Sequence, residues 1–352
     1  MNGNKIYRTL LTATIVAAQS LLLGSCTVES LDNGATGGKD GSTLISFEGG
    51  LEMATPGKAA TRGARADAEN LSFGVSASVY PTADDYTTAE CSNYFRNVNV
   101  TTANPETTYL WPSNIYRISF YAYSPYNGTG ITLASASSVG RMTYSYTADE
   151  SVANQCDLMT AEVLDQTCPS ADPVELNFSH RLSEFTFRVI NNTPDAITVH
   201  SVRLMNFRPS GTWDGTAWTP SGSPTYWELS VEQDVVSGGI LNLTGTSNHF
   251  YLVPQTKAAM EDMIRLTITK SGEATPTVFL HQHPTAFTAE AGRSYAFDLT
   301  ISSGMEVSDA SGISGWVMEA SYVDYATSDI KNWDANGQPI DHAIDGGIDP
   351  WN

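Results

Sequence analysis

The chain has 352 residues, of which 38 are acidic and 18 are basic, so its formal net charge is −20 at pH 7. This length predicts about two domains, and so acidic a chain is a poor partner for nucleic acid because it has no basic face to neutralise phosphates. Charged residues make up only 16% of the chain. With plentiful Ser, Thr, Asn, Gly and Tyr, that composition favours an extracellular β-rich protein over a cytosolic helical enzyme.

The first 25 residues have the pattern of an export signal. Lys5 and Arg8 precede the apolar run TLLTATIVAAQSLLL, which is too short and too soon followed by polar sequence to be a stop-transfer helix. The run ends in LGSC, which matches a bacterial lipobox and has Cys26 as its last residue. We therefore expect residues 1–25 to be a lipoprotein signal peptide and Cys26 to carry the lipid that anchors the precursor. The alternative is an ordinary secretion signal with an incidental cysteine.

Residues 26–65 are predicted to contain a lipid tether, one short strand and a protease-sensitive loop. The tether has no apolar period. In TLISFEGG, Ile45 and Phe47 share one face and a glycine pair should end the strand. The small-residue run AATRGARADAEN then carries Arg62 and Arg65, in the kind of sequence that proteases cut. The alternative is a solvated linker whose cations only balance charge.

From residue 71 the apolar residues mostly alternate with polar ones, as in LSFGVSASVY, IYRISFYAYSP and RSYAFDLTI. Turn-forming pairs such as Asn127-Gly128 separate these segments. Many short strands at this spacing predict an all-β protein built from sandwiches.

We expect two sandwiches, at residues 66–173 and 174–303, with the boundary near Pro169–Pro173. The strand VELNFSH should open the second sandwich. The one helix that the sequence suggests is short and lies around Gln255–Met263.

Residues 304–352 form a distinct tail with nine acidic residues and one basic residue. In its last segment, PIDHAIDGGIDPWN, three isoleucines would share one face of a strand: Ile340, Ile344 and Ile348. WVMEASY, earlier in the tail, alternates in the same way. The alternative for the last segment is a flexible acidic tail.

We predict no catalytic site, no metal site and no cofactor. His281 and His283 would share a strand face, but two ligands without a third make a weak metal site. Cys156 and Cys168 could pair across a short loop and leave Cys91 buried, although three cysteines in the mature chain argue against a disulfide framework.

Taken together and in this order, these features resemble the fimbrillin family of Bacteroidales, the subunits of type V pili. The resemblance covers nearly the whole mature chain and rests on the lipobox at Cys26, the Thr61-Arg62 step, WPSNIYRISFYAYSP, DLMTA, LNFSHRLSEFTFRVI, GTWDGTAW, YLVPQT and ISGW. It implies a fold of two tandem transthyretin-like β-sandwiches. It also implies export as an outer-membrane lipoprotein, cleavage after Arg62 or Arg65 by a trypsin-like surface protease, and polymerisation with other fimbrial subunits by strand exchange.

The resemblance implies that the chain is a structural subunit of a cell-surface fimbria used for adhesion. The first strand would then be a plug that cleavage releases, and the donor strand would contain Ile340, Ile344 and Ile348, with WVMEASY as a rival. A long tail favours a stalk or intermediate subunit. The alternative function is a permanently lipidated outer-membrane surface protein that binds glycans. Its rings for stacking on sugars would be Trp213, Trp218 and Trp227, although packing is the favoured role of these residues.

Overall fold

The computed structural model describes residues 43–51, 71–84, 91–134, 141–303 and 316–326. These residues are almost entirely strands and loops, with two single-turn 3₁₀ helices at Val152–Asn154 and Thr246–Asn248. No helix within the described ranges is long and apolar enough to cross a membrane. The predicted all-β fold of two tandem β-sandwiches is confirmed.

Nine strands precede the middle of the chain. They are β1 Leu44–Leu51, β2 Ser72–Pro81, β3 Ser92–Thr101, β4 Glu106–Leu110, β5 Tyr116–Ser124, β6 Ile131–Leu133, β7 Tyr144–Thr147, β8 Met159–Thr167 and β9 Val174–His180. Thirteen follow: β10 Ser183–Asn192, β11 Ile197–Phe207, β12 Ser210–Trp213, β13 Trp218–Ser221, β14 Thr225–Val235, β15 Ile240–Leu243, β16 Phe250–Leu252, β17 Gln255–Lys257, β18 Asp262–Lys270, β19 Thr277–Gln282, β20 Phe287–Ala289, β21 Arg293–Ser303 and β22 Trp316–Ala326.

The first sandwich is one seven-stranded sheet, in the order β3-β2-β5-β8-β9-β1-β4, that folds over its own core. The pairing of β8 with β9 is short and marks the fold between the two layers. Aromatic rings close the gap between the layers: Phe47 of β1 meets Phe120 of β5 edge-on at 5.2 Å, and Phe73 of β2 lies 5.3 Å from Phe178 of β9. The alternating apolar residues of these strands therefore form one core.

The second sandwich packs the sheet β15-β10-β21-β22 against the sheet β14-β11-β18-β19. Its centre is aromatic, with Phe185, Phe187 and Phe297 all buried. A third sheet, β13-β12-β7-β6, joins strands from the first half of the chain to strands from the second. Tyr144 and Tyr146 of β7 consequently pack in the second core.

The two cores do not divide at residue 173. β9, which contains the VELNFSH segment predicted to open the second sandwich, buries Val174, Leu176 and Phe178 in the first core. Its alternating side chains complete the layer that β1 begins, because the two strands pair in parallel over five residues.

The helix predicted around Gln255–Met263 is absent from the structure. β17 and the start of β18 occupy this segment, and Met260 between them has a left-handed backbone (φ 60°) that ends any regular element. Gln255 is held locally by its side chain, which accepts a hydrogen bond from the Arg208 amide at 2.8 Å.

Two pairs of histidine and carboxylate lie near the junction of the sandwiches. His180 Nδ1 contacts Asp157, and His249 Nδ1 lies 2.7 Å from Glu184 Oε1. The other ring nitrogen of His249 lies 3.0 Å from the Thr244 carbonyl, which can only accept, so both nitrogens of the ring face acceptors. That arrangement suits a protonated imidazole.

The pKa values of the second pair follow from burial and pairing. Burial alone lowers the pKa of His249, but the hydrogen bond and charge of Glu184 outweigh it and set the net value above 6.5. Burial raises the pKa of Glu184, and His249 outweighs it to give a net value below 4.5. The pair therefore stabilises the fold most between about pH 4.5 and pH 6.5.

We predict that stability falls as the pH rises above about 6.5, because the folded chain then loses the proton that holds His249 to Glu184. His249→Gln should flatten this decline, and urea unfolding measured between about pH 5.5 and pH 8.5 tests it. His200→Gln is the matched control, since His200 pairs with the mostly exposed Glu232 on the outer face of a sheet. If the free energy of unfolding of His249→Gln falls with pH as steeply as that of the wild type, the decline does not come from the pair of His249 and Glu184.

Candidate functional site

β1 lies in a slot between β4 and β9, the one strand antiparallel to it and the other parallel. Its first half pairs with β4, where Leu44 faces Leu110, and its second half pairs with β9, where Phe47 faces Val174. β4 and β9 have no pairing with each other among the described strands. Removing β1 would therefore open a gap within this layer of the first sandwich. We call the gap the β1 seat.

The side chains of β1 alternate between the core and the surface. Ile45 and Phe47 are buried, Ser46 between them is half-buried, and the flanking Leu44 and Glu48 are exposed. Burying an Ile and a Phe contributes ~3–6 kcal/mol. The seat is therefore lined by apolar groups that water would contact if β1 left.

Polar groups of the seat bind the β1 backbone. The Thr107 hydroxyl donates to the Ile45 carbonyl at 2.9 Å and is itself buried. The Phe47 amide donates to the Pro105 carbonyl at 2.9 Å. The Trp111 amide donates to the Thr43 carbonyl at 3.0 Å. Any strand that replaced β1 would have to meet the same buried donors and acceptors.

The glycine pair does not end the strand as predicted, because β1 continues through Gly49 and Gly50 to Leu51. A Cβ atom at Gly49 would lie 3.2 Å from Phe73 Cε1, so glycine lets the strand pass beneath the Phe73 and Phe178 rings. Glycine inside a strand commonly marks such a close approach. Gly49 is therefore the sequence signal for this close approach.

Other predicted site residues lie outside the described residues. These are the lipidation candidate Cys26, the cleavage candidates Arg62 and Arg65, and the donor candidates Ile340, Ile344 and Ile348. Their order along the chain is nevertheless informative. Cys26 and the whole of β1 precede both arginines, and β2 follows them.

The rival donor segment WVMEASY is part of β22. It pairs antiparallel with β21 along its full eleven residues. The ring of Tyr322 packs 5.0 Å from Phe297 and 5.5 Å from Phe287, at the edge of the second core. β22 therefore covers its own sandwich in this structure.

The three tryptophans do not form an exposed stacking platform. Trp213 and Trp227 are only 7% and 2% exposed and belong to the second core. Trp218 is half-buried, and its indole N–H donates to the Arg181 carbonyl at 2.6 Å. The packing interpretation is supported, and the glycan platform lacks the open ring faces that it requires.

The cysteines do not pair as the sequence allowed. Cys156 and Cys168, the two that could have paired, both have free thiols. Cys91 is partly exposed, whereas Cys168 is buried in the first core and Cys156 packs against the second. Burial raises the pKa of Cys156 to about 11 and that of Cys168 to about 12, so both remain thiols at neutral pH.

His281 and His283 do lie side by side, with ring centroids 6.4 Å apart. His283 also packs against Tyr322 and Phe287. Among the residues that the structure describes, no cluster of three or more His, Cys, Asp or Glu side chains could hold a metal ion.

The described residues form two β-sandwiches, and β1 fills the seat in one layer of the first. A family model described as fimbrillin-like matches residues 61–316. The chain belongs to the fimbrillin-like family, whose members are structural proteins and not enzymes. No curated protein matches the sequence.

Two solved structures are similar to this chain. A fimbrial protein from Bacteroides vulgatus ATCC 8482 is 17% identical with a TM-score of 0.51, and the match covers 80% of this chain and 98% of that one. A proposed cell adhesion protein from Bacteroides ovatus ATCC 8483 is also 17% identical, with a TM-score of 0.48 over 80% of this chain and 96% of that one. At 17% identity, the similarity to the Bacteroides vulgatus structure supports the fold alone.

Phe47→Ala in the intact chain should lower the free energy of unfolding by ~3–5 kcal/mol, because it removes a buried ring that meets Phe120 across the first core. Leu44→Ala on the same strand is the control and should cost about 0.5 kcal/mol or less, since Leu44 is exposed. Urea unfolding followed by tryptophan fluorescence measures both. Equal losses would mean that Phe47 does not hold β1 in its seat.

Proposed function

We propose that the chain is the precursor of a fimbrial subunit and that it polymerises on the cell surface for adhesion by exchanging β1 for a strand of another subunit. A trypsin-like surface protease cuts after Arg62 or Arg65 and releases β1. The partners are other fimbrial subunits, and the long tail favours a stalk or intermediate position. The observation that carries the proposal is the seat itself, an apolar slot between β4 and β9 filled by a strand that precedes both arginines.

The cut changes how well β1 competes for the seat. While β1 is covalently attached, its effective concentration is in the millimolar range. A foreign strand at much lower concentration cannot displace it. After cleavage only the burial of two large side chains and the strand hydrogen bonds retain β1, so a better strand can take its place.

The same cut separates the folded body from the membrane. We propose that Cys26 carries the lipid and keeps the precursor at the outer membrane until cleavage. Since Cys26 and β1 lie on the same side of both arginines, one cut removes the anchor and unlocks the seat together.

The incoming strand comes from the last segment of another chain. Burial of its Ile340, Ile344 and Ile348 would contribute ~5–9 kcal/mol, more than burial of the two large residues that they replace. β22 is the weaker candidate, because its donation would break an eleven-residue pairing with β21 and uncover Phe297. Donation from one end of a chain to the other end of the next makes an open filament and not a ring.

Digestion of the purified precursor with an arginine-specific protease should give one early cut, followed by polymers. The double variant Arg62→Gln/Arg65→Gln should stay monomeric, because β1 remains attached. Size-exclusion chromatography and mass spectrometry report the polymer and the new N-terminus, and the single variants identify the arginine. Wild-type protein that is cut at this loop and stays monomeric would contradict the proposal.

Deleting residues 340–352 should leave a folded chain that is cut normally and cannot polymerise, because it has no strand to donate. Mixed with cut wild-type protein, the truncated chain should still accept one donor strand and end the polymer. Light scattering measures the polymer length. Polymers formed by the truncated chain alone would assign donation to another segment.

A further inference from the structure

The β1 seat is open at one end only. β9 runs parallel to β1, and only Arg181 and Leu182 separate it from β10 of the second sandwich. The Leu51 end of the seat therefore faces the chain's own second sandwich. The Leu44 end faces away from it.

Exposed apolar side chains surround the open end. Leu110, opposite Leu44, is 43% exposed, and Ile115, just before β5, is 59% exposed. Trp111, which directly follows Leu110 and precedes Ile115 by four residues, is buried in the first core. We call Leu110 and Ile115 the first rim. When β1 leaves, Leu110 loses the cross-strand contact with Leu44 and is exposed further.

The far end of the second sandwich carries a similar pair. β10 leads away from the junction, and Ile190 near its end pairs with Ile240. Ile240 is 49% exposed and Val236, in the preceding turn, is 68% exposed. We call Val236 and Ile240 the second rim. The second rim therefore lies at the end of β10 that is farther from the junction.

A donor strand that keeps the direction of β1 has its N-terminal side at the open end of the seat. The body of the donor subunit precedes its tail, so that body also lies beyond the open end. A body placed at the other end would collide with the acceptor's own second sandwich, which begins two residues after β9.

Chain length then brings the two rims together. β22 ends at Ala326 opposite Arg293, at the junction end of β21, and its eleven residues cover ~36 Å. Residues 327–339 can span at most ~45 Å, so Ile340 reaches only about 10 Å past the far end of its own sandwich. On this path the two bodies must lie in direct contact.

We propose that the second rim of one subunit docks on the first rim of the next and that this contact, in addition to the exchanged strand, holds successive subunits together. The inference rests on the proposed function and names the surface that a second copy of this chain covers. Apolar groups on both sides fit an interface that excludes water.

The test introduces one charge into each rim. Ile115→Glu and Val236→Glu should each slow polymerisation of cut protein by about tenfold or more, because the contact would bury an unpaired carboxylate. Leu280→Glu is the control, since Leu280 is 53% exposed on the outer face of β19, away from both rims. Light scattering gives the rates, and circular dichroism checks that all three variants are folded.

A synthetic peptide of residues 316–352 separates the rim from the seat. The peptide has no body to dock, so cut Ile115→Glu protein should bind it as tightly as cut wild-type protein does. Rim variants that polymerise at the wild-type rate, or an Ile115→Glu chain that also loses the peptide, would overturn the inference. Cut wild-type protein that neither polymerises nor binds the peptide would instead contradict the proposed function.

Discussion

The pairing of β1 between β4 and β9 is the constraint on which the first sandwich depends. These two strands make no hydrogen bonds to each other among the described strands, so β1 alone completes their layer and covers the core beneath it. Its contribution comes from few groups: two buried side chains, a run of backbone hydrogen bonds and the close passage of Gly49 under Phe73. If cleavage separates β1 as proposed, a strand held mainly by apolar burial and backbone pairing is one that another strand of similar pattern can replace.

The second sandwich depends on a different kind of interaction. Its two sheets meet through aromatic rings, as where Phe185 of β10 lies 5.4 Å from Phe207 of β11. Within one sheet, Arg188 of β10 and Asp298 of β21 form a buried ion pair. Breaking a buried pair by removing one partner leaves an uncompensated charge, which is strongly destabilising. β22 at its edge contributes a ring to this core.

The sequence predicted local structure well and long-range pairing poorly. Period-two patterns such as LSFGVSASVY identified the strands, because alternation follows directly from the geometry of a half-buried strand. The position of Ile45 and Phe47 on one face was also predictable. The partners of β1 were not, since nothing local in ETTYL or VELNF says that these remote segments flank the first strand. The same limit explains why the sequence places β9 with the second sandwich although its side chains lie in the first core. Gln255–Met263 is short and has no clear period, so its sequence suggests a helix where the structure has strands.

The direction in which β1 runs limits how another strand can enter the seat. In a parallel pair the two strands leave the sheet at the same end, and here β9 leaves towards the second sandwich. A replacement strand that runs the same way must therefore arrive from the opposite end, where Leu110 and Ile115 are exposed. An antiparallel donor would have to bring its folded body to the end already occupied by β10. Under the proposed assembly, this pairing therefore favours growth at the end of the first sandwich that carries Leu110 and Ile115.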